Sequence, residues 1–309
     1  MSTADPRTAV LLMAYGTPGS PDEILPYYTD IRRGRPPTDE QLNDLVARYG
    51  AIGGISPLAQ RTAAQRDALQ AGLDSVAPGH YFVTLGLKHA EPMIETAVNT
   101  LADLGFRKIV AVVLAPHFSS FSIGQYVGRA TAAAAIHGIA VAAVESWAVL
   151  PAFVSFLATD LRSRLAEMPA NTTVLFTAHS LPQRIIDDGD PYPAELRATA
   201  IAVAGAVGLR DEQWDIAWQS AGRTPEPWIG PDILVAMTAL AESETTDGVV
   251  VCACGFVADH LEVLYDLDIE ASRHAVTLGL AFSRTACVND DLSVLGELAA
   301  RVHAIANTE

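Results

Sequence analysis

The chain has 309 residues, half of them apolar, and a formal charge of -16 from 36 acids against 20 basic residues. That is enough apolar material for one large or two medium folded domains, and the acidity excludes a general nucleic-acid surface, which needs dense Lys and Arg against phosphate. Lys88 and Lys108 are the two lysines, and the densest basic run, IRRGR from Ile31 to Arg35, is an exception in an acidic chain.

The amino terminus, MSTADPRTAVLLMAYG, has no basic region and its apolar run is cut by YGTPGSP, so no secretory leader is expected. The longest apolar region, 139–158, contains Glu145 and Pro151. It reads as a strand and then a helix, not as the about 20 residues that cross a bilayer. Cys252, Cys254 and Cys287 lack a framework spacing, which suits a reducing compartment. The expectation is a soluble, cytoplasmic protein with no nucleic-acid partner and no integral membrane segment.

In chain order, strands are predicted at 8–15, 81–87, 108–116, 139–147, 172–180, 214–220 and 248–256, with helical-period segments between them. Near-continuous apolar runs of this length separated by helices indicate parallel strands buried on both faces, hence an α/β fold. Four strands precede Pro151 and three follow it, which predicts domains 1–148 and 149–309. The amphipathic segment LSVLGELAARVHAIA near the end is expected to pack back on the first domain.

Ligands of open parallel sheets bind beyond the carboxyl ends of the strands, and these rims are polar here. They carry Tyr15, Lys88 and His89, His117 with several serines, His179, and Gln219 with Arg223. After the last predicted strand comes CGFVADHLEVLYDLDIE, 254–270. At roughly 100° per residue of helix, Asp259, Glu262, Asp266 and Glu270 fall in one arc on an otherwise apolar surface broken only by Asp268 and His260. Such a stripe faces solvent or an internal cleft, and its start at a strand rim favours the cleft. Asp259 suits helix N-terminal charge equally well.

The dinucleotide fingerprint, the P-loop, G-x-S-x-G and the common zinc spacings are all absent. The blocks that are present, MAYGTP, YYTDIRRGRPP, RYGAIGGISPLA, LAPHFSSFSIGQY, FTAHSLP, WQSAGRTPEPWIGPDI and GFVADHLEVLYDLDIE, resemble in order those of the ferrochelatases, from about residue 8 to 290. The resemblance implies two Rossmann-like domains with a porphyrin cleft between them, and insertion of ferrous iron into a porphyrin late in haem synthesis. It implies that His179 and Glu262 are the catalytic, metal-binding pair, with Asp266 and Glu270 as outer steps for hydrated metal.

The residue chemistry is compatible with that reaction. A neutral imidazole ligates iron or accepts a pyrrole proton, a carboxylate adds a hard oxygen ligand, and a sparse site releases the ion to the ring. Guanidinium forks match porphyrin carboxylates. On the resemblance, Arg32, Arg48, Tyr49, Ser56 and Tyr126 are the propionate candidates and Tyr15 an axial oxygen on the face opposite His179. Arg33 and Arg35 read as solubilising surface.

The charged lip at 22–41 and the early end of the chain after its last helix resemble the soluble, monomeric branch that acts on coproporphyrin III. Protoporphyrin IX is the close alternative. Some relatives hold a two-iron, two-sulfur cluster on four cysteines, a set this chain lacks. No resident cofactor is therefore expected, iron enters as substrate, and Cys252 and Cys254 read as buried thiols on one face of a strand. A downstream haem-synthesis enzyme would receive the product. The competing readings are a chelatase loading cobalt or nickel into another tetrapyrrole, and a non-catalytic porphyrin or haem carrier, which would not need the acids.

Overall fold

In the computed structural model, which describes residues 7–222 and 224–308, the chain divides into two units. The first runs to Ala115, resumes over Ser122–Trp147 and takes in the chain from Asn289 onward, while the second comprises Pro116–Phe121 and Ala148–Val288.

The first unit begins with β1 (Thr8–Ala14), whose seven residues TAVLLMA are all buried. It continues with α1 (Ile24–Ile31), α2 (Asp39–Ala51), α3 (Leu58–Val76), β2 (Tyr81–Leu87), α4 (Ile94–Asp103), β3 (Lys108–Val113), α5 (Ile123–Ile136) and β4 (Ala140–Val144). All pairings in its sheet are parallel, in the order β2-β1-β3-β4. A capping box starts α2: Thr38 Oγ accepts from Gln41 N–H and Gln41 Oε1 from Thr38 N–H, satisfying two orphan amides of the first turn.

The second unit holds α6 (Pro151–Ala166), β5 (Thr172–His179), α7 (Arg184–Asp187), α8 (Tyr192–Val207), β6 (Trp214–Gln219), α9 (Ile233–Glu242) and β7 (Gly248–Cys252). Then come α10 (Leu261–Leu264), a π-helix (Asp266–Ala271), α11 (Ser272–Leu278) and β8 (Ala281–Arg284). This sheet is also wholly parallel, in the order β6-β5-β7-β8. Its core on one side joins Leu175, Val249 and Val251 of the strands to Met237, Val263, Leu267 and Ala271 of the helices. The last helix, α12 (Leu292–Ala306), belongs to the first unit and packs on α3, where a Cβ on Gly72 would lie 2.9 Å from Ala299 Cβ.

The α/β class and all seven expected strands are present, with shorter carboxyl ends at 113, 144 and 252. The trimmed residues leave the sheets as the loops that carry the polar rims. Strand β8 escaped sequence reading because it has four residues, AFSR, none of them fully buried. Among the described residues no helix is long and apolar enough to cross a membrane.

Candidate functional site

In the second unit the order of strand addition reverses at β5: the chain goes from β5 to β6 on one side and then crosses to β7 on the other, all strands staying parallel. That is the switch point at which the connections diverge and side chains gather beyond the strand ends. His179 ends β5, Gln219 ends β6, and the loop 253–260 leaves β7. The loop crosses close to β5, with Gly255 N–H donating to Thr177 O at 2.9 Å. A Cβ on Gly255 would stand 2.5 Å from Ala178 Cα, so only glycine permits this crossing beside His179.

The single α-helix expected over 254–270 is not what forms. The chain is non-helical to His260, makes one turn of α10 and then widens into the π-helix, where Glu270 N–H reaches Tyr265 O at 2.9 Å, five residues back. The 100° spacing therefore fails, and the four acids do not share one stripe. Asp259 lies before the helix, Glu262 on α10, Asp266 and Glu270 on the π-helix.

His179 and Glu262 are brought together, with Nε2 to Oε1 at 3.6 Å and side chains 34% and 37% exposed, open enough to meet an incoming ion. His260 approaches the other carboxylate oxygen, Nε2 to Oε2 at 3.5 Å. The carbonyls fix both tautomers, since a carbonyl only accepts: His179 Nδ1–H donates to Ser180 O and His260 Nδ1–H to Ala258 O. In the neutral rings each Nε2 lone pair therefore points at the carboxylate. Two imidazole lone pairs thus face one carboxylate, an arrangement that attracts a proton.

Burial lowers the pKa of His179, but the charge and hydrogen bond of Glu262, the Ser180 carbonyl and the charge of Asp266 outweigh it, leaving the imidazole above its ordinary 6.5. Glu262 is pushed up by burial and down, more strongly, by His179 and His260, so it stays ionised well below the usual carboxylate range. Helical periodicity over 254–270 places His260 only as a break in an apolar face. The error came from starting the helix too early; the HLE spacing next to a strand rim was the available signal.

Asp266 is buried and accepts a hydrogen bond from Ser220 Oγ at 2.5 Å, whereas Glu270 is exposed. Among the described residues no group of three or more His, Cys, Asp or Glu side chains is arranged to hold a metal ion. Asp268 forms a fork with Arg284 at 2.5 and 2.8 Å, and the same guanidinium lies 3.5 Å from Asp259. Arg284 thus ties the loop before α10 to the π-helix.

In the first unit Tyr15 follows β1, half-exposed, with its ring 4.6 Å from that of His89. Arg32 caps α1, donates to Arg35 O at 3.2 Å and lies over the Tyr28 ring. Arg48 on α2 pairs with Asp44 at 3.1 Å. Tyr49, Ser56 and Tyr126 are buried, and Ser56 Oγ accepts from Leu58 N–H. Lys88 donates to Gln125 at 3.0 Å and lies 5.0 Å above the Tyr126 ring. Its burial, and then the charges of Arg129 and Arg33, bring its pKa down to about 8. Arg223 lies outside the described residues.

Cys252 ends β7 but Cys254 sits in the following turn, so the two do not share a strand face. All three cysteines are free and buried, and burial pushes the thiols of Cys254 and Cys287 up.

The sequence matches the Ferrochelatase family over residues 7–305. It is 44% identical over 282 residues to the coproporphyrin III ferrochelatase of Halalkalibacterium halodurans, covering 90% of each chain. It is also 44% identical to a ferrochelatase of Herpetosiphon aurantiacus, covering 92% of this chain and 94% of that one. Its fold is similar to that of the sirohydrochlorin chelatase SirB of Bacillus subtilis subspecies spizizenii, with a TM-score of 0.56, 13% identity and 97% and 95% of the two chains covered. With residues 7–305 matched and a carboxylate set between two imidazoles at the switch point of the second sheet, the chain belongs to the ferrochelatase family.

Proposed function

We propose that the protein inserts ferrous iron into coproporphyrin III to give iron coproporphyrin III. The observation that carries the metal half of this reading is the Glu262 carboxylate held at 3.6 and 3.5 Å from the Nε2 atoms of His179 and His260. The identity with a coproporphyrin III ferrochelatase over nine-tenths of both chains supports the substrate.

Metalation needs two pyrrole protons removed, water stripped from the cation and the ion released to the ring. With Nδ1–H committed to the Ser180 carbonyl, His179 Nε2 is free to accept a pyrrole proton, and the adjacent Glu262 charge stabilises the imidazolium that results. The same carboxylate supplies a hard oxygen for ferrous iron, with imidazole nitrogen completing a weak set. Asp266 and Glu270 serve as outer steps for hydrated iron. Arg32, Arg48, Tyr49, Ser56 and Tyr126 contact propionates, and Tyr15 offers an axial oxygen. Iron is the substrate, and the buried free thiols suit a reducing cytoplasm in which it stays ferrous.

The test is anaerobic absorbance with ferrous iron and either coproporphyrin III or protoporphyrin IX. Conversion of the free-base to the metalloporphyrin spectrum, with the higher kcat/KM for coproporphyrin III, is expected. A preference for protoporphyrin IX would overturn the substrate, and porphyrin binding without turnover would make the protein a carrier.

A further inference from the structure

The two members of the metal pair come from different parts of the second unit, His179 from the end of β5 and Glu262 from α10. Helices of four and six residues cannot hold their own position, so the 3.6 Å spacing must be set by what α10 and the π-helix are fastened to. The end of β6 is fastened to both sides. Its Gln219 pairs with His179 in the sheet, and Gln219 O accepts from Ser180 N–H at 2.7 Å. The Gln219 side chain, fully buried, donates from Nε2 to the main-chain oxygen of Glu262 at 3.1 Å. Its Oε1 finds no partner among the described residues. A buried acceptor left unpaired opposes folding, so the contact with Glu262 is kept against a cost.

The next residue, Ser220, has φ +59, a left-handed backbone that serine rarely adopts and that clusters at functional sites. That turn delivers its hydroxyl to the buried Asp266 carboxylate one turn beyond Glu262. We propose that Gln219 and Ser220 are positioning residues that set the spacing of His179 and Glu262 and the orientation of Asp266 for the incoming cation. This rests on the metal-handling role given above to the pair.

Ser220→Ala removes the hydroxyl, Ser220→Gly removes it while easing the backbone, and Ser220→Asn tolerates the left-handed turn and restores a donor. Two readouts are taken on the full-length protein: cobalt(II) affinity from its visible d–d absorption without porphyrin, and steady-state metalation with ferrous iron. The Ala and Gly variants are expected to weaken cobalt(II) binding and raise the iron KM, each roughly ten-fold, as for a lost hydrogen bond to a charged group. Porphyrin KM should stay at its wild-type value while Tm falls modestly, since the buried Asp266 carboxylate loses a donor, and Asn should recover most of the loss. A Gly variant equal to wild type, or a loss that follows Tm and porphyrin KM together, would overturn the proposal. If wild type binds cobalt(II) but metalates nothing, the proposed reaction fails while the cobalt(II) comparison still decides the positioning role.

Discussion

The two sheets have the same strand order and the same parallel sense, yet their carboxyl ends carry opposite chemistry. Where the first unit places Tyr15 after β1 and Lys88 after β2, the second places His179 at the end of β5 and Ser220 after β6. Lys88 lies near Arg129 and Arg33 and is held over an aromatic ring, whereas the second rim gathers a carboxylate, two imidazoles and a buried aspartate. On the function proposed above, one scaffold serves two substrate groups, cations suited to carboxylates in one unit and lone pairs suited to a metal in the other. The topology determines where side chains gather, and the residues at those ends determine what they bind.

The sharpest way to break this division is at the pair itself. Glu262→Ala and His179→Ala are each expected to slow metalation by on the order of 100-fold or more, read by single-turnover absorbance, with porphyrin affinity retained. Gly255→Ala should come next, because its Cβ would be driven into the β5 backbone. A loss of about 2 kcal/mol or more in chemical denaturation is expected, with metalation falling alongside. Arg32→Ala and Arg48→Ala should raise the porphyrin KM roughly ten-fold each and leave kcat near wild type. Arg284→Met removes the fork to Asp268 and the contact with Asp259, and should cost about 1–3 kcal/mol of stability, measured in urea.

The smallest effect is a titration. Because Glu262 holds the His179 pKa above 6.5 against burial, the unprotonated form needed for catalysis appears as pH rises through that raised value. Glu262→Gln removes the carboxylate charge that raises it most, so the His179 pKa should fall from its wild-type value, as followed by NMR of the imidazole. The sign for stability is consistent: a folded pKa raised above the unfolded one favours the folded state at low pH, and that contribution is lost as pH rises through it. Glu262→Gln should flatten this part of the stability profile.

The sequence shows most of the scaffold because buried parallel strands leave continuous apolar runs such as TAVLLMA, and residues just beyond them are where side chains gather. His179 and Glu262 could be read in that way, helped by blocks that resemble a known family. The π-helix could not, since nothing in LYDLDIEA separates a five-residue hydrogen-bond step from a four-residue one. That misplaced the phase of every acid after Glu262 and hid His260. Ser220 and Arg284 were also invisible, because their roles depend on tertiary neighbours 46 and 16 residues away. Periodicity reports the face of an element, and these side chains act from its ends.

The most direct test of the divided labour compares Glu262→Ala with Arg32→Ala, measuring coproporphyrin III affinity and anaerobic single-turnover metalation at saturating porphyrin. The account predicts that Glu262→Ala binds the porphyrin as wild type does but fails to metalate it, while Arg32→Ala binds more weakly and metalates at near wild-type rate once saturated. Loss of porphyrin binding in Glu262→Ala, or a metalation defect in Arg32→Ala that saturation does not cure, would contradict it.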